Sequence, residues 1–403
     1  MNKLKSFSLG LLAILIVGCS IQPSTPEVFD NPASGNSMYP FLYNTGDQLY
    51  MSWITSSADG NYSLEFSSYS NDQWSAVNTI ASDSTWFVNW ADFPSIIADK
   101  HGPVAAHWLN KKEGGTYAYD VNIAAFNSNS GDSSKAITPH SDGTPTEHGF
   151  VSMIPWDDDS FLAVWLDGRK TDGRSDEDYY NLDYAMTLRG AVINQNGEIE
   201  ERYIIDESVC DCCQTSLIKS GDTVIVAYRN RTENEIRDIY TSRFDGQQWS
   251  NPEAVYNDNW EIGACPVNGP KLAAEDSLVT VAWHTAAQGT PTAKYAYSTD
   301  KGQTFEKPIK LNKGRSLGRV DTEIIDGRIY VSWIEKNNTE TKLKVSTFSG
   351  QEKLEKTQTI ATLDESRKTG FPQMEQLGNN LIFAWTNPDS AQTKIVTKKL
   401  NLD

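Results

Sequence analysis

The sequence predicts an all-β fold, a propeller of seven four-stranded blades, and three observations carry that reading. A short apolar segment ending in an aromatic residue recurs seven times: LYMSW to Trp53, VAAHW to Trp108, LAVW to Trp165, VIVAY to Tyr228, VTVAW to Trp283, IYVSW to Trp333 and LIFAW to Trp385. The recurrences stand 50 to 63 residues apart, and four strand-like pieces per unit at such a period mark propeller blades. No segment longer than a turn or two has a helical apolar period. Six blades is the alternative count.

Each unit follows one order. A strand-like piece such as DFPSII, GFVSMI or NGPKLA precedes the apolar segment, which is the second strand. An alternating third strand follows, as in YSLEFSSY or YAYDVNIAAF, then a Gly/Asp turn and a fourth piece such as WSAVNTIA. The last unit stops at KIVTKKLNLD without a fourth strand. The orphan piece PEVFD at 26–30 is therefore expected to complete the seventh blade and close the ring, protecting its sheet edges. Aromatic residues make up 11% of the chain, with 12 Trp and 17 Tyr, a composition suited to β-structure or to a carbohydrate site.

The chain opens with the basic MNKLK and the apolar FSLGLLAILIVG. That run is of signal-peptide length and too short to span a membrane. Its end, Ile16-Val17-Gly18-Cys19, resembles the lipobox of bacterial lipoproteins. The resemblance implies cleavage before Cys19 and acylation of its sulfur; Ser20, rather than Asp, implies the outer membrane of a Gram-negative envelope. The expected organisation is a signal peptide at 1–18, a lipidated tether at 19–25 and one propeller domain at 26–403, a monomer touching the membrane only through its anchor. The net charge of −18 argues against nucleic acid, whose binders carry basic faces. An anionic ligand needs a local cluster of arginines.

Ser298-Thr299-Asp300-Lys301-Gly302-Gln303-Thr304-Phe305 resembles the Asp box, S-x-D-x-G-x-T-F/W, with degenerate versions at FDGQQW and SNDQW. Asp boxes occur in sialidases and related propellers, on the turn between third and fourth strands, opposite the active face. Together with CDCCQTS, CPVNGP, TEHGFVS, LDGR and LGRVD, they make the mature chain similar to bacterial lipoproteins labelled sialidase-like or Asp-box (BNR) repeat proteins. The resemblance implies an exo-acting glycoside hydrolase, or a binder of acidic glycans.

The repeat map assigns residues to the opposite rim, above an expected axial pocket. Loops leading into first strands bring Trp90, Asp92, Glu147, His148 and Arg319; loops after second strands bring Arg169, Arg229, Glu235 and His284. Sialidases hold the substrate carboxylate with three arginines, so the resemblance gives that role, by face and count, to Arg169, Arg229 and Arg319, with Trp90 and His148 also facing the substrate. Asp167 is an obvious local mate for Arg169. Asp92 resembles by position the acid/base aspartate; capping its own loop is the other reading. The sialidase nucleophile is a Tyr paired with a Glu, and the rim carboxylates for that pairing are Glu147 and Glu235. Where many sialidases carry Arg-Ile-Pro, this chain has Met38-Tyr39-Pro40.

Cys210, Cys212 and Cys213 precede the inner strand of blade four, and Cys265 that of blade five. In a secreted chain the favoured expectation is a disulfide from Cys212 or Cys213 to Cys265. The alternative is a soft-metal site, Cu or Zn, made by the thiolates with His148 or His284. With it goes a second reading of the whole protein: a non-catalytic envelope propeller that binds a metal or docks a partner protein.

Overall fold

Alternating apolar residues turn every repeat into an antiparallel meander with one strand order, inner to outer. A computed structural model of the chain describes residues 24–127, 133–388 and 392–402. The apolar leader, Cys19 and most of the tether lie outside the described residues. There are seven sheets, so the count is seven and not six. Blade one is Asn36–Asn44, Leu49–Ser56 and Tyr62–Ser70, with Gln73–Trp74 and Asn78–Asp83 sharing its outer edge. Blade two is Ser95–Asp99, Gly102–Lys111 and Tyr119–Ala125; bridges from Ile123 to Ile137 and from Phe126 to Ser133 mark its outer edge. Blade three is His148–Pro155, Ser160–Asp167, Met186–Asn194 and Ile199–Val209. Blade four is Ser216–Ser220, Thr223–Arg229, Ile239–Phe244 and Glu253–Ala254. Blade five is Lys271–Glu275, Leu278–Thr285, Thr292–Ser298 and Ile309–Lys310. Blade six is Arg315–Ile325, Arg328–Asn337, Glu340–Ser349 and Lys353–Leu363. Blade seven is Gln373–Leu377, Asn380–Pro388 and Thr393–Asn401, completed by Glu27–Val28. Among the described residues no helix is long and apolar enough to cross a membrane.

The seven recurring aromatics are all buried, and each sits in a separate apolar cluster shared with the preceding blade. Trp165 packs among blade-two residues, Trp283 among blade-four residues and Trp385 among blade-six residues. A ring of this size removes roughly 150–250 Å² from water. Five of the seven also donate a hydrogen bond to a carboxylate: Trp53 to Glu65 (2.9 Å), Trp165 to Asp167 (3.0 Å), Tyr228 to Asp206 (2.5 Å), Trp283 to Asp258 (2.7 Å) and Trp333 to Glu335 (3.2 Å). A buried indole N–H left without an acceptor costs free energy, so each wedge brings its carboxylate with it.

On the side away from the first-strand loops, Asp300 knits the turn after Thr292–Ser298. It accepts from Ser298 Oγ at 2.6 Å, Thr304 Oγ1 at 2.6 Å and the Thr304 N–H at 2.9 Å. These bonds draw its carboxyl down to about 2, against the opposing effect of burial. Phe305 packs beneath, on the cluster between blades four and five.

The ring closes through the N-terminal segment. Glu27 lies opposite Lys399 and Val28 opposite Lys398, and the Phe29 N–H donates to the Thr397 carbonyl at 3.1 Å. The Phe29 ring then meets Tyr69 and Trp74 of blade one, with centroids 5.0 and 5.9 Å away. Phe29→Ala is expected to lower unfolding stability by about 3 kcal/mol, as large-to-small changes in a packed core do. Val28, 74% exposed, changed to Ala shifts it by less than about 0.5 kcal/mol. Urea midpoints of the two variants check this, and equal shifts would remove Phe29 from the closure.

Candidate functional site

The rim is built from bulges. In blades one, three and six the inner strand shifts register between Met38 and Phe41, Gly149 and Ser152, and Gly318 and Asp321. Each shift carries a bulky residue in the left-handed region: Tyr39 (φ 54°), Phe150 (φ 54°) and Arg319 (φ 53°). Non-glycine residues seldom adopt that conformation, and here a side chain from the preceding blade secures each one. Thr386 Oγ1 accepts the Tyr39 N–H (2.8 Å), Asp92 Oδ1 the Phe150 N–H (2.8 Å) and Asn268 Oδ1 the Arg319 N–H (2.8 Å). Asp92 thus caps the next blade's bulge rather than its own loop. Bulges re-aim side chains, and of the three bulge residues Phe150 lines the axial cavity.

Asp92 has a second task. Its Oδ2 accepts from Tyr119 Oη at 3.0 Å, and the same hydroxyl lies 2.5 Å from Glu147 Oε1. A Cβ on Gly149 would fall 1.9 Å from Asp92 Oδ2, so only glycine admits the carboxyl. Tyr119 is 1% exposed and Asp92 2%, and the Tyr119 ring stacks on Phe87 with centroids 4.0 Å apart. Burial pushes the Asp92 carboxyl up to about 7 although Phe150 and Tyr119 donate to it. Burial also holds Glu147 well above the usual carboxylate range, with Asp92 adding to the effect and Tyr119 opposing it. Two of the three catalytic candidates therefore meet, on a tyrosine that the sequence did not single out. Tyr119 lies in the alternating YAYD of a third strand, where nothing local sets it apart.

Beneath them runs an axial cavity of about 490 Å³, lined among others by Phe41, Asp92, Phe150, Lys271, Glu323 and Glu375. The volume is in the range of small-ligand sites. Gln214 ties loops of three blades together beside it: its Nε2 donates to the Ala91 carbonyl (2.6 Å) and its Oε1 accepts the Gly269 N–H (2.9 Å). Burial, opposed by Lys271, raises the Glu375 carboxyl to about 8, and Glu323 is raised with it.

The three expected clamp arginines do not assemble. Arg169 spends its fork on Asp167, Nε to Oδ1 at 2.6 Å and Nη2 to Oδ2 at 2.7 Å. Arg229 is 1% exposed and donates to the carbonyls of Arg237 (2.6 Å), Asn268 (2.7 Å) and His284 (2.8 Å), with Trp260 against its face. Both hold loops together. Arg319 differs. Its guanidinium lies 5.1 Å from the Trp90 ring centre, with that of Arg367 at 5.6 Å, and Trp90 stacks on Phe371 at 5.7 Å. No carboxylate lies within salt-bridge distance of either arginine among the described residues. Burial, then the Arg367 charge, lowers the Arg319 guanidinium to about 10. Arg367 is not among the sequence candidates; it follows Ser366 in the loop leading into the first strand of blade seven.

Glu235 and His148 are structural. Glu235 Oε1 pairs with Arg231 and Oε2 with Arg237, at 2.8 and 2.6 Å, and both guanidinium groups are buried. His148 is buried, with Nε2 2.8 Å from Asp142 Oδ2 and its ring stacked on His140 at 3.8 Å and 3°. Ring nitrogens bind metals in the ring plane, and two parallel planes never meet, so this pair cannot share an ion in this arrangement. His284 Nδ1 lies 3.1 Å from Ser316 Oγ. The group of sulfurs within 4.8 Å of one another, Cys210, Cys212 and Cys213, includes neither histidine among the described residues.

The expected inter-blade disulfide is not formed: all four cysteines near the rim are free. Cys210 Sγ is 4.0 Å from Cys212 Sγ and 3.9 Å from Cys213 Sγ, about twice a disulfide bond. Cys213 is buried and faces its own loop, whereas Cys265 is exposed on the next. Arg237 Nη1 donates to Cys210 Sγ at 3.4 Å. Burial alone would raise the Cys213 thiol; hydrogen bonds from Cys210 and Cys212, the Arg229 charge and the Asn268 N–H overcome it and bring that thiol well below the usual range.

No family model matches the chain, and no curated protein matches it. Solved structures do. A PL25 ulvan lyase bound to -[GlcA(1-4)Rha3S]- is similar with a TM-score of 0.55 at 11% identity, over 94% of this chain and 94% of that one. The β-propeller domain of the Trilobed protease from Pyrococcus furiosus gives 0.48 at 10% identity, over 91% and 98%. The K499G mutant of NanB sialidase from Streptococcus pneumoniae gives 0.44 at 14% identity, over 95% and 71%. At such identities the likeness is one of fold.

Glu235→Ala leaves the buried Arg237 without a carboxylate and Arg231 with only Asp211, at 3.5 Å. The expected loss is about 3–5 kcal/mol of unfolding stability, read from the denaturant midpoint, with Glu235→Gln losing less. A midpoint within error of the parent for Glu235→Ala would deny the carboxylate this role.

Proposed function

We propose that the propeller binds an anionic glycan at this rim and cleaves it. The observation that carries the proposal is the pair of guanidinium groups, Arg319 and Arg367, lying against Trp90 without a carboxylate partner. A bound carboxylate or sulfate relieves their mutual repulsion and accepts their forks. The faces of Trp90 and Phe371 supply apolar surface for a sugar ring. The fold is shared with a lyase whose bound ligand carries glucuronate and a sulfated rhamnose, which supports an acidic polymer as the ligand.

The sialidase-like exo-hydrolase reading gains a nucleophile candidate. Tyr119 hydrogen-bonded to Glu147 fits a tyrosine–glutamate pair: Glu147, once ionised, takes the phenolic proton as Tyr119 Oη attacks the anomeric carbon. Asp92, kept protonated near neutrality, is placed two residues from Trp90 to protonate the leaving oxygen. Both groups are buried, so the sugar must reach them from the cavity that Asp92 lines.

A panel of fluorogenic sialosides and uronate- or sulfate-bearing polysaccharides tests this. Turnover is expected to fall about 10²–10⁴-fold in Asp92→Asn and Tyr119→Phe; it should fade as pH rises through about 7, where Asp92 loses its proton, and also toward acid pH, where Glu147 carries one. Arg319→Ala should weaken binding with the fold intact. Binding without turnover would reduce the protein to a lectin-like propeller; absence of both across the panel defeats the proposal.

We further infer that Cys19 is acylated and tethers the propeller to the cell envelope, on the lipobox resemblance. Cys19→Ser is expected to move the protein from the membrane fraction to the soluble one. An unchanged distribution overturns the anchor.

A further inference from the structure

The chain's sulfurs are gathered and braced in a way that the glycan reading does not use. Cys210, Cys212 and Cys213 each offer a sulfur, and the three lie within 4.8 Å of one another. Metal–sulfur bonds of about 2.3 Å put sulfurs about 3.8 Å apart around a tetrahedral ion and about 4.0 Å apart around a trigonal one. The observed separations are 4.0 and 3.9 Å. Cys265, exposed on the loop from the next blade, lies outside this group of three but neighbours Cys212.

The scaffold around them is rigid and cationic. The Cys210 N–H donates to the Arg229 carbonyl at 2.9 Å. Asp211 is paired with Arg174 at 3.0 Å and Arg231 at 3.5 Å, and Gln214 is fixed at both ends by Ala91 and Gly269. The loop CDCCQ is therefore pinned on either side of every sulfur. Arg237 bridges the two cysteine loops, donating from Nη1 both to Cys210 Sγ at 3.4 Å and to the Ala264 carbonyl at 3.0 Å, next to Cys265. Glu235 holds Arg237 from behind. A donor on a sulfur and a carboxylate behind that donor form the kind of outer support that orients metal ligands and offsets thiolate charge.

We propose that Cys210, Cys212 and Cys213, joined by Cys265, form an all-thiolate site for a thiophilic d¹⁰ cation, Cu(I) or Zn(II), between the loops leading into blades four and five. Thiolate ligands select such soft ions. The ion would join neighbouring blades, and Arg237 is a positioning residue. The site stands independently of glycan binding and outside the histidine network.

The full chain, purified anaerobically with reductant and stripped by a chelator, is titrated separately with Cu(I) and Zn(II) against a chromophoric competitor. One ion per chain is expected, with a metal–sulfur shell of three or four sulfurs at about 2.3 Å by X-ray absorption. A three-sulfur shell with Cu(I) alone identifies the trigonal site; a four-sulfur shell with Zn(II) identifies the tetrahedral one. Cys213→Ser should weaken the preferred ion by at least about 100-fold, the upper end of what outer-support changes do. If Cys213→Ser fails to fold, Cys265→Ser, changed on an exposed loop, should take one sulfur from a four-sulfur shell and leave a three-sulfur shell unchanged, in a folded protein judged by an unchanged circular-dichroism melt. All four rim thiols titratable with neither ion bound overturns the proposal. So does a chain isolated from cells without reductant whose rim cysteines are paired in disulfides.

Discussion

Everything on the rim depends on the wedge between blades. An aromatic at the end of each second strand fills the gap to the preceding blade, and in five cases a carboxylate takes its N–H or O–H. The apolar ring supplies most of the burial and is not directional. The hydrogen bond fixes its orientation and so sets how adjacent blades meet. It also determines what the nearby acids can do. Asp167 and Glu335 sit on the ligand-facing rim by repeat position, yet each is held by a tryptophan and a cation: Asp167 by Trp165 and Arg169, Glu335 by Trp333 and Lys344. Charge at the correct face is therefore no guide to chemistry in this architecture.

This is why the fold was legible in the sequence and the site only partly so. The seven segments ending in Trp or Tyr are local signals, written in contiguous residues, and the missing fourth strand of the last unit matches PEVFD in length and pattern. The fate of a polar side chain is decided elsewhere. Asp92 meets the Phe150 N–H, 58 residues away, and Tyr119, 27 residues away. Arg229 and Arg319 both reach the rim, but Arg229 meets three carbonyls from blades four and five, and Arg319 meets Trp90. Nothing beside either arginine distinguishes the brace from the free cation. The cysteines lie between these extremes: CDCC is a cluster in the sequence itself, whereas the donor on Cys210 Sγ is Arg237, which comes from a different loop.

The bulges show how the ring spends backbone strain. Tyr39, Phe150 and Arg319 occupy equivalent left-handed positions, and such strain persists only where the surroundings over-determine it. The surroundings are a side-chain acceptor from the previous blade, Thr386, Asp92 or Asn268. Three chemically different acceptors satisfy one geometric need. Only the carboxylate brings a second oxygen with further hydrogen-bonding capacity, and that oxygen reaches Tyr119. The position of Asp92 is thus structural in origin, and its Tyr119 contact is what distinguishes it from Thr386 and Asn268.

The unpaired arginines gain weight from the composition. The chain has 53 acidic residues against 35 Lys and Arg, so carboxylates are plentiful, and most buried or half-buried guanidinium groups here have found one: Arg169, Arg174, Arg231 and Arg237. Arg229, the exception in the interior, is saturated by carbonyls. Arg319 is 8% exposed and has only the Ser366 carbonyl at 3.5 Å, with a second cation beside it. A desolvated charge without a partner is costly, and a long acidic chain offers many ways to remove that cost. The arrangement instead keeps two cations against one indole that stacks on Phe371, and leaves that corner of the rim short of negative charge. An anion at that corner would remove the cost, which is the sense in which the pair supports the proposed ligand.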